Sequence, residues 1–451
     1  MRIAWFTPLA QRSSIGRFSS AIATALSRSI EVDLCHFDRG DLRDTSVRTI
    51  AFASAQDVSL QMLSDYDLVV YNFGNYLPFH GEIYELSRTW PGVCVLHDFV
   101  MHHFFAEYFL ARQRDTEGYQ TLLKRIYGPD APGRSAKVWE TDDALRYPLF
   151  EEAALGALGV ITHSEFFRSH VQQCFAGPVA CIPLAHAVSP KGRDESRREL
   201  GIDNNQTLLL TIGHVNPNKQ IECVLNALNR IDKRDLIYVI LGAHAVDYVR
   251  KLQSLVDTHH LGRVVRFLGE VSDEVLCTYL SAADICINLR FPTMEGASGS
   301  VVEEMLFGKP VVVTNTGFFG ELPDDSVVKV RHSNDSDVEA ALRRLLGDAD
   351  ARRAIAARAK TFAEAEFHPD AYAKRAIDFL WDVRSTRPIL DLTDRVALEL
   401  GRMGVHADMG IVDAVAREIG NTLVGSHSEP YTRQTEPKQR QSMEDPRTRS
   451  L

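Results

Sequence analysis

The sequence predicts an α/β chain of two doubly wound domains, each a parallel sheet flanked by helices. Three observations point there. Short apolar runs alternate with helix-spaced patterns along most of the chain, the sign of parallel strands joined by crossover helices. The runs fall into two series: 2–7, 31–37, 67–72, 93–97, 159–163 and 179–182, then 207–212, 237–241, 264–268, 284–289, 311–314 and 327–330. Between them lies the charged segment 188–205, containing SPKGRDESRREL. The boundary is placed there, giving domains 1–188 and 189–367 that face each other across a cleft. In such sheets ligands bind at the carboxyl ends of the strands.

Composition narrows the function classes. The chain has 451 residues, 45% hydrophobic and 24% charged, as in soluble globular proteins. A net charge of −10 argues against a nucleic-acid partner for the molecule as a whole. The seven cysteines are scattered without a CxxC pair, so they read as reduced thiols rather than disulfides or zinc ligands. At the N-terminus the apolar Ile3-Ala4-Trp5-Phe6 is cut short by Pro8, Gln11 and Arg12, unlike an export signal. No stretch reaches the roughly 20 apolar residues of a spanning helix. The expectation is a cytoplasmic protein, at most in peripheral contact with the inner face of a membrane.

Taken in order, the first helical pattern covers 18–26, where Phe18, Ala21, Ile22 and Leu26 recur at helix spacing. Asn72-Phe73-Gly74-Asn75-Tyr76 follows a strand; it reads either as a contact for donor or acceptor, or as a plain turn. His97 ends a strand, and Asp98 after it either orients the ring or starts a turn. The stretch 99–110 carries Met101, Phe104, Phe105 and Tyr108 at helix spacing, which favours core packing over a lipid-facing surface. His102 and His103 lack a carboxylate–histidine spacing, so no metal site is expected. After the strand 207–212 comes Gly213-His214-Val215-Asn216-Pro217-Asn218-Lys219. There Gly213 permits a tight turn and Lys219 could reach a phosphate, although alone this is an ordinary strand-to-helix turn with a solvated lysine.

The stretch 295–314, EGASGSVVEEMLFGKPVVVT, reads as a loop, a short helix and a buried strand. Ser300 and Glu303 have capping-box spacing, which predicts a helix beginning at Ser300. Val301, Val302, Met305 and Leu306 supply its buried face, and Gly308 stands at the C-cap. The free N–H groups of this helix start make an anion site, with Glu295 before it and Glu303 inside it. Pro369 then opens a crossover helix, 368–388, with Tyr372, Ala376, Ile377 and Leu380 on one face. A helical extension is expected over 389–424, and a polar, disordered tail over 425–451.

Taken together, Glu295-x7-Glu303, the GHVNPNK turn and Gly308-Lys309-Pro310-Val311-Val312 resemble the family-four retaining, nucleotide-sugar-dependent glycosyltransferases, or glycosyl transferases group 1. Their fold is GT-B, two Rossmann-like domains across a cleft. The resemblance is good over 208–330. It is looser in the first half, through the Gly16 loop, Leu96-His97-Asp98 and Ile161-Thr162-His163-Ser164-Glu165, and it stops after 387. It implies that Glu295 holds donor-sugar hydroxyls, that Glu303 holds the ribose, and that His97 faces the sugar from the other domain. Lys219 would neutralise the diphosphate, helped by backbone N–H groups around Ser298, Gly299 and Ser300.

By the same resemblance Glu295, Lys219 and His97 are the catalytic set, while Gly16, His214, Asp98 and Asn75 line the substrates. The family usually has arginine where this chain has His214, and often paired glycines where Gly16 stands alone. Neutral imidazole donates one bond where guanidinium offers a fork. The implied reaction moves a sugar from a UDP- or GDP-linked donor to a glycan or lipid-linked acceptor hydroxyl, with retention. It needs no metal and no cofactor, because the nucleotide sugar is a co-substrate. Polysaccharide or glycolipid assembly is the implied setting. Two other readings stay open: a catalytically idle sugar-nucleotide-binding module, and a GT-B-like sugar-nucleotide epimerase.

Overall fold

The computed structural model describes residues 1–131, 138–231, 235–406 and 409–423. Residues Met1–Arg384 form one compact unit, and the chain from Ser385 onward forms a second. The tail expected at 425–451 lies outside the described residues.

Within the first unit stand two fully parallel sheets. Strands β1 (Arg2–Phe6), β2 (Glu31–His36), β3 (Thr49–Ala51), β4 (Leu68–Phe73), β5 (Val93–Leu96), β6 (Gly159–Thr162) and β7 (Val179–Cys181) make the first, in the order β3-β2-β1-β4-β5-β6-β7. Strands β8 (Thr207–Ile212), β9 (Leu236–Leu241), β10 (Val265–Gly269), β11 (Ile285–Asn288), β12 (Val311–Thr314) and β13 (Val328–Val330) make the second, in the order β10-β9-β8-β11-β12-β13. Most strands are mainly apolar because parallel strands are covered on both faces; β4, β9 and β12 are buried at every residue. The edge strand β3, half-exposed over three residues, has no apolar run and was not anticipated.

Each sheet reverses direction once, between β1 and β4 in the first and between β8 and β11 in the second. These are the topological switch points at which crevices open beyond the strand ends. Phe6, Tyr71, Phe104, Phe105 and Phe167 anchor the first core, and Ile221, Tyr238, Leu252, Ile287 and Leu342 the second. Met101, Phe104 and Phe105 are core residues, as their spacing suggested, on a short helix, His102–Ala106, that continues as a π-helical turn, Glu107–Arg112.

After the second sheet the chain returns to the first. Tyr372 packs edge-on against Phe18 at 5.2 Å, and Arg384 pairs with Asp67 at 2.8 Å. This helix, Pro369–Arg402, runs through residue 388, where a break was expected; a second, Gly410–Leu423, follows. All seven cysteines are free thiols.

Candidate functional site

The second sheet builds its side of the site from charges. Strand β8 ends at Gly213, whose φ of +92° lets the chain turn at once. The turn closes with Lys219 in a 3-10 turn, Pro217–Lys219. Lys219 is only 3% exposed; its Nζ donates to the carbonyl of Ile212, and no carboxylate pairs with it among the described residues. Burial, then the nearby Arg290, pushes its pKa well down. His214 is exposed and its pKa is lowered by partial burial and by Lys219, so it is the neutral imidazole.

Strand β11 delivers the other half. Just beyond it, the Arg290 Nε donates to Glu295 Oε1 at 3.0 Å, and Nη1 to the Leu289 carbonyl at 2.9 Å. The N–H of Phe291 donates to the carbonyl of Asn218 at 2.8 Å, tying this loop to the Lys219 turn. Asn288 Nδ2 donates to both oxygens of the fully buried Glu304, at 3.1 and 3.0 Å. Burial pushes that carboxyl up to about 8. Asn288 Oδ1 is buried with no hydrogen-bond partner among the described residues.

The helix that follows runs Gly299–Leu306, not from Ser300. Its N-cap is Ser298, whose side chain accepts from the Val301 N–H. Ser300 is drawn away by Asn288 Nδ2, which donates to its Oγ at 2.8 Å, so the expected capping box with Glu303 does not form. Gly299 lies against His186: a Cβ there would come within 3.0 Å of the ring Nε2. Glu303 is buried and paired with Arg17 from the first domain. Its pKa is nonetheless raised, burial outweighing the guanidinium. The carboxylate expected to grip a ribose is thus paired with a guanidinium of the protein.

The first sheet presents neutral rings. His97 Nδ1 meets His163 Nε2 at 3.1 Å, its Nε2 meets Asn72 Oδ1 at 3.1 Å, and Phe18 packs edge-on against the ring at 5.0 Å. Both nitrogens are thus engaged inside the first domain, where the ring was expected to meet the sugar. What reaches across is the backbone: the His97 carbonyl accepts from Gly296 N at 3.0 Å, and Val100 N donates to the Met294 carbonyl at 2.9 Å. Asp98 and Glu295 face each other in the short antiparallel bridge so formed. Burial, then the neighbouring Glu295, pushes Asp98 up to about 6.

Two other predicted residues turn out to shape the scaffold. Asn75 donates its N–H to Asp98 Oδ2 at 2.7 Å, and its Oδ1 accepts from Phe104 N at 2.8 Å. Gly16 is not in a loop but in the first turn of the helix Ser14–Leu26, capped by Ser13. A Cβ there would lie 2.5 Å from the Pro8 carbonyl oxygen, so only glycine fits.

Lys219, Glu295, Ser298, Gly299, Ser300 and Glu303 therefore lie on connected elements at one end of the second sheet. His97, Asp98 and Asn75 lie at the facing end of the first. Sequence reasoning missed Arg290, Glu304, Asn288 and Arg17. Glu304 left one trace: a carboxyl on a helix whose other neighbours, Val301, Val302, Met305 and Leu306, are all core residues. Among the described residues no group of three His, Cys, Asp or Glu side chains is placed to hold a metal ion.

Comparison with known proteins shows what the chain resembles. Residues 192–362 match the model of the family described as glycosyl transferases group 1. A glycosyltransferase of Methanocaldococcus jannaschii, itself uncharacterized, is 27% identical over 261 residues, 54% of this chain and 65% of that protein. A D-inositol 3-phosphate glycosyltransferase of Geodermatophilus obscurus is 29% identical over 205 residues, 43% of each chain. These matches span about half to two-thirds of the relatives' length. Among solved structures, sucrose-phosphate synthase of Thermosynechococcus elongatus superposes with a TM-score of 0.62 at 16% identity, covering 86% of this chain and 100% of that one. Anabaena HepE, in complex with UDP and glucose, superposes with a TM-score of 0.60 at 19% identity, covering 84% and 99%. The fold is GT-B, and residues 192–362, which carry Lys219, Arg290, Glu295 and Glu303, are similar to the glycosyl transferases group 1 family.

Proposed function

We propose that the protein transfers a sugar from a nucleoside-diphosphate sugar to an acceptor hydroxyl with retention, without a metal. The observation that carries this reading is Lys219, buried with no carboxylate pairing among the described residues, on a turn tied by the Phe291–Asn218 bond to the loop that leads into the helix Gly299–Leu306. Such a pairing suits a diphosphate leaving group, whose developing charge it would stabilise. Glu295, nearby on the same sheet, is suited to hold sugar hydroxyls. The similar Anabaena protein has been crystallised with UDP-glucose, which makes uridine nucleotides the first donors to try. The acceptor is taken to be a glycan or lipid-linked hydroxyl, approached from the first domain at the membrane surface.

The test is release of nucleoside diphosphate from a panel of UDP- and GDP-sugars, with and without EDTA, using mixed glycan and glycolipid acceptors. Acceptor-dependent release that survives EDTA supports the reading; strict dependence on a divalent ion removes the metal-free mechanism. The Arg17–Glu303 pair favours one competing reading, an idle nucleotide-binding module. Saturable nucleotide binding without release on any donor would favour that alternative.

A further inference from the structure

The second-sheet side of the site brings two buried basic side chains together. Lys219 donates to the Ile212 carbonyl and pairs with no carboxylate among the described residues. Arg290, 6% exposed, has Glu295 as its carboxylate partner. The buried Glu304 carboxyl is bonded by the Asn288 amide. A buried basic group without a paired carboxylate is costly unless an anion completes the site.

Local bonds hold Arg290 where such an anion would arrive. Its N–H donates to Thr314 Oγ1 at 3.0 Å, Nη1 donates to the Leu289 carbonyl, and the Phe291–Asn218 bond holds its loop against the Lys219 turn. Nη2 has no hydrogen-bond partner among the described residues. Arg290 is also the largest charge acting on Lys219, which puts the two cations in one field. A planar guanidinium can grip two oxygens of a phosphate at once, which a lysine cannot. His214, exposed and neutral, offers no such fork.

We propose that Arg290 is the second cation of the diphosphate site: when donor binds, its guanidinium moves from Glu295 to the diphosphate oxygens beside Lys219, and the freed Glu295 carboxylate takes the sugar hydroxyls. This rests on the nucleotide-sugar reading above and adds an exchange of partners to it. In the resting protein Arg290 keeps Glu295 neutralised; in the complex the donor replaces both halves of that pair.

Calorimetric titration of the full chain with UDP, UMP and inorganic pyrophosphate tests it, using wild type, Arg290→Met and Arg290→Lys. Wild type is expected to bind UDP at least tenfold more tightly than UMP. Arg290→Met should lose about tenfold to a hundredfold in UDP and pyrophosphate affinity, the range for one charge-assisted contact, with UMP affinity unchanged. Arg290→Lys keeps a cation beside Glu295, so it remains informative if the methionine variant fails to fold; it should lose part of the UDP preference. If both variants keep the wild-type ratio of UDP to UMP affinity, Arg290 does not contact the diphosphate and the inference fails while the nucleotide reading stands. If wild type itself shows no preference for UDP over UMP, nor for GDP over GMP, both fall.

Discussion

The two sides of this site are built on opposite principles. The first sheet offers buried imidazoles: His80, His97, His163 and His186 are all nearly inaccessible, and burial lowers the pKa of each. The second offers buried charges, Lys219, Arg290 and Glu304. The neutral side is completed by the protein. Ile182 supplies a carbonyl to His163, His163 meets His97, and His97 meets Asn72, whose Nδ2 is fixed on the Phe6 carbonyl. On the charged side Lys219 pairs with no carboxylate among the described residues. The difference teaches which side awaits a ligand: the first sheet gives shape and backbone contacts, the second gives binding energy.

The sharpest way to break that comparison is Lys219→Met. If the charged side carries catalysis, donor turnover should fall by about 10²–10³, the cost of one lost electrostatic contact in other enzymes. The melting temperature should hold or rise, because a buried cation without a carboxylate is removed. Near-normal release of nucleoside diphosphate by this variant would end the assignment.

Glu304 and the buried histidines should respond to pH with opposite signs. Glu304 is raised from an ordinary 4.5 to about 8 in the folded protein, so over that window the native state binds more protons and stability falls as pH rises. Glu304→Gln should remove this limb, recovering roughly 2–3 kcal/mol between pH 6 and pH 9 in urea unfolding. An unchanged alkaline limb would mean that Glu304 ionises freely. On the first-sheet side the histidines sit below the ordinary 6.5, His80 and His163 at about 4 and His186 at about 3. There the unfolded state binds more protons, so stability is present above 6.5 and is lost as pH falls toward 4. His186→Leu should flatten the acid limb by roughly 1–2 kcal/mol at pH 5. A variant that loses stability equally at pH 5 and pH 8 would show that the ring matters for packing alone.

What was legible in the sequence follows the same division. Strands covered on both faces are written as apolar runs, and both Thr207–Ile212 and Val311–Thr314 match at both ends. The edge strand Thr49–Ala51 is half-bare and left no run to read. Lys219 and Glu295 could be singled out because a turn and a helix start flank them. The start at Ser298 could not: local spacing favours Ser300 with Glu303, and only the amide of Asn288, arriving from another strand, claims the Ser300 hydroxyl. Arg290 looks in sequence like a solvated charge, and the only local hint that Glu304 is buried is its apolar helix neighbours. His97 misled for the converse reason. A strand-end histidine looks available until His163, distant in sequence, occupies its ring.

Arg17 is the exception, a first-sheet residue that belongs with the charges, and it gives the comparison its finest test. It holds Glu303 in the ligand-free protein, with Asp273 at 4.0 Å on its other side. If Glu303 grips the ribose, nucleotide must displace Arg17 first, and apparent affinity is reduced by the fraction of molecules in which the pair is closed. A partly exposed ion pair of this kind is worth about 1 kcal/mol or less, so Arg17→Ala should tighten UDP binding by no more than about fivefold. The gain should vanish in Arg17→Ala/Glu303→Gln, where there is no carboxylate to release. Should Arg17→Ala instead weaken UDP binding, Arg17 contacts the nucleotide directly, and the first sheet supplies charge to the ligand after all.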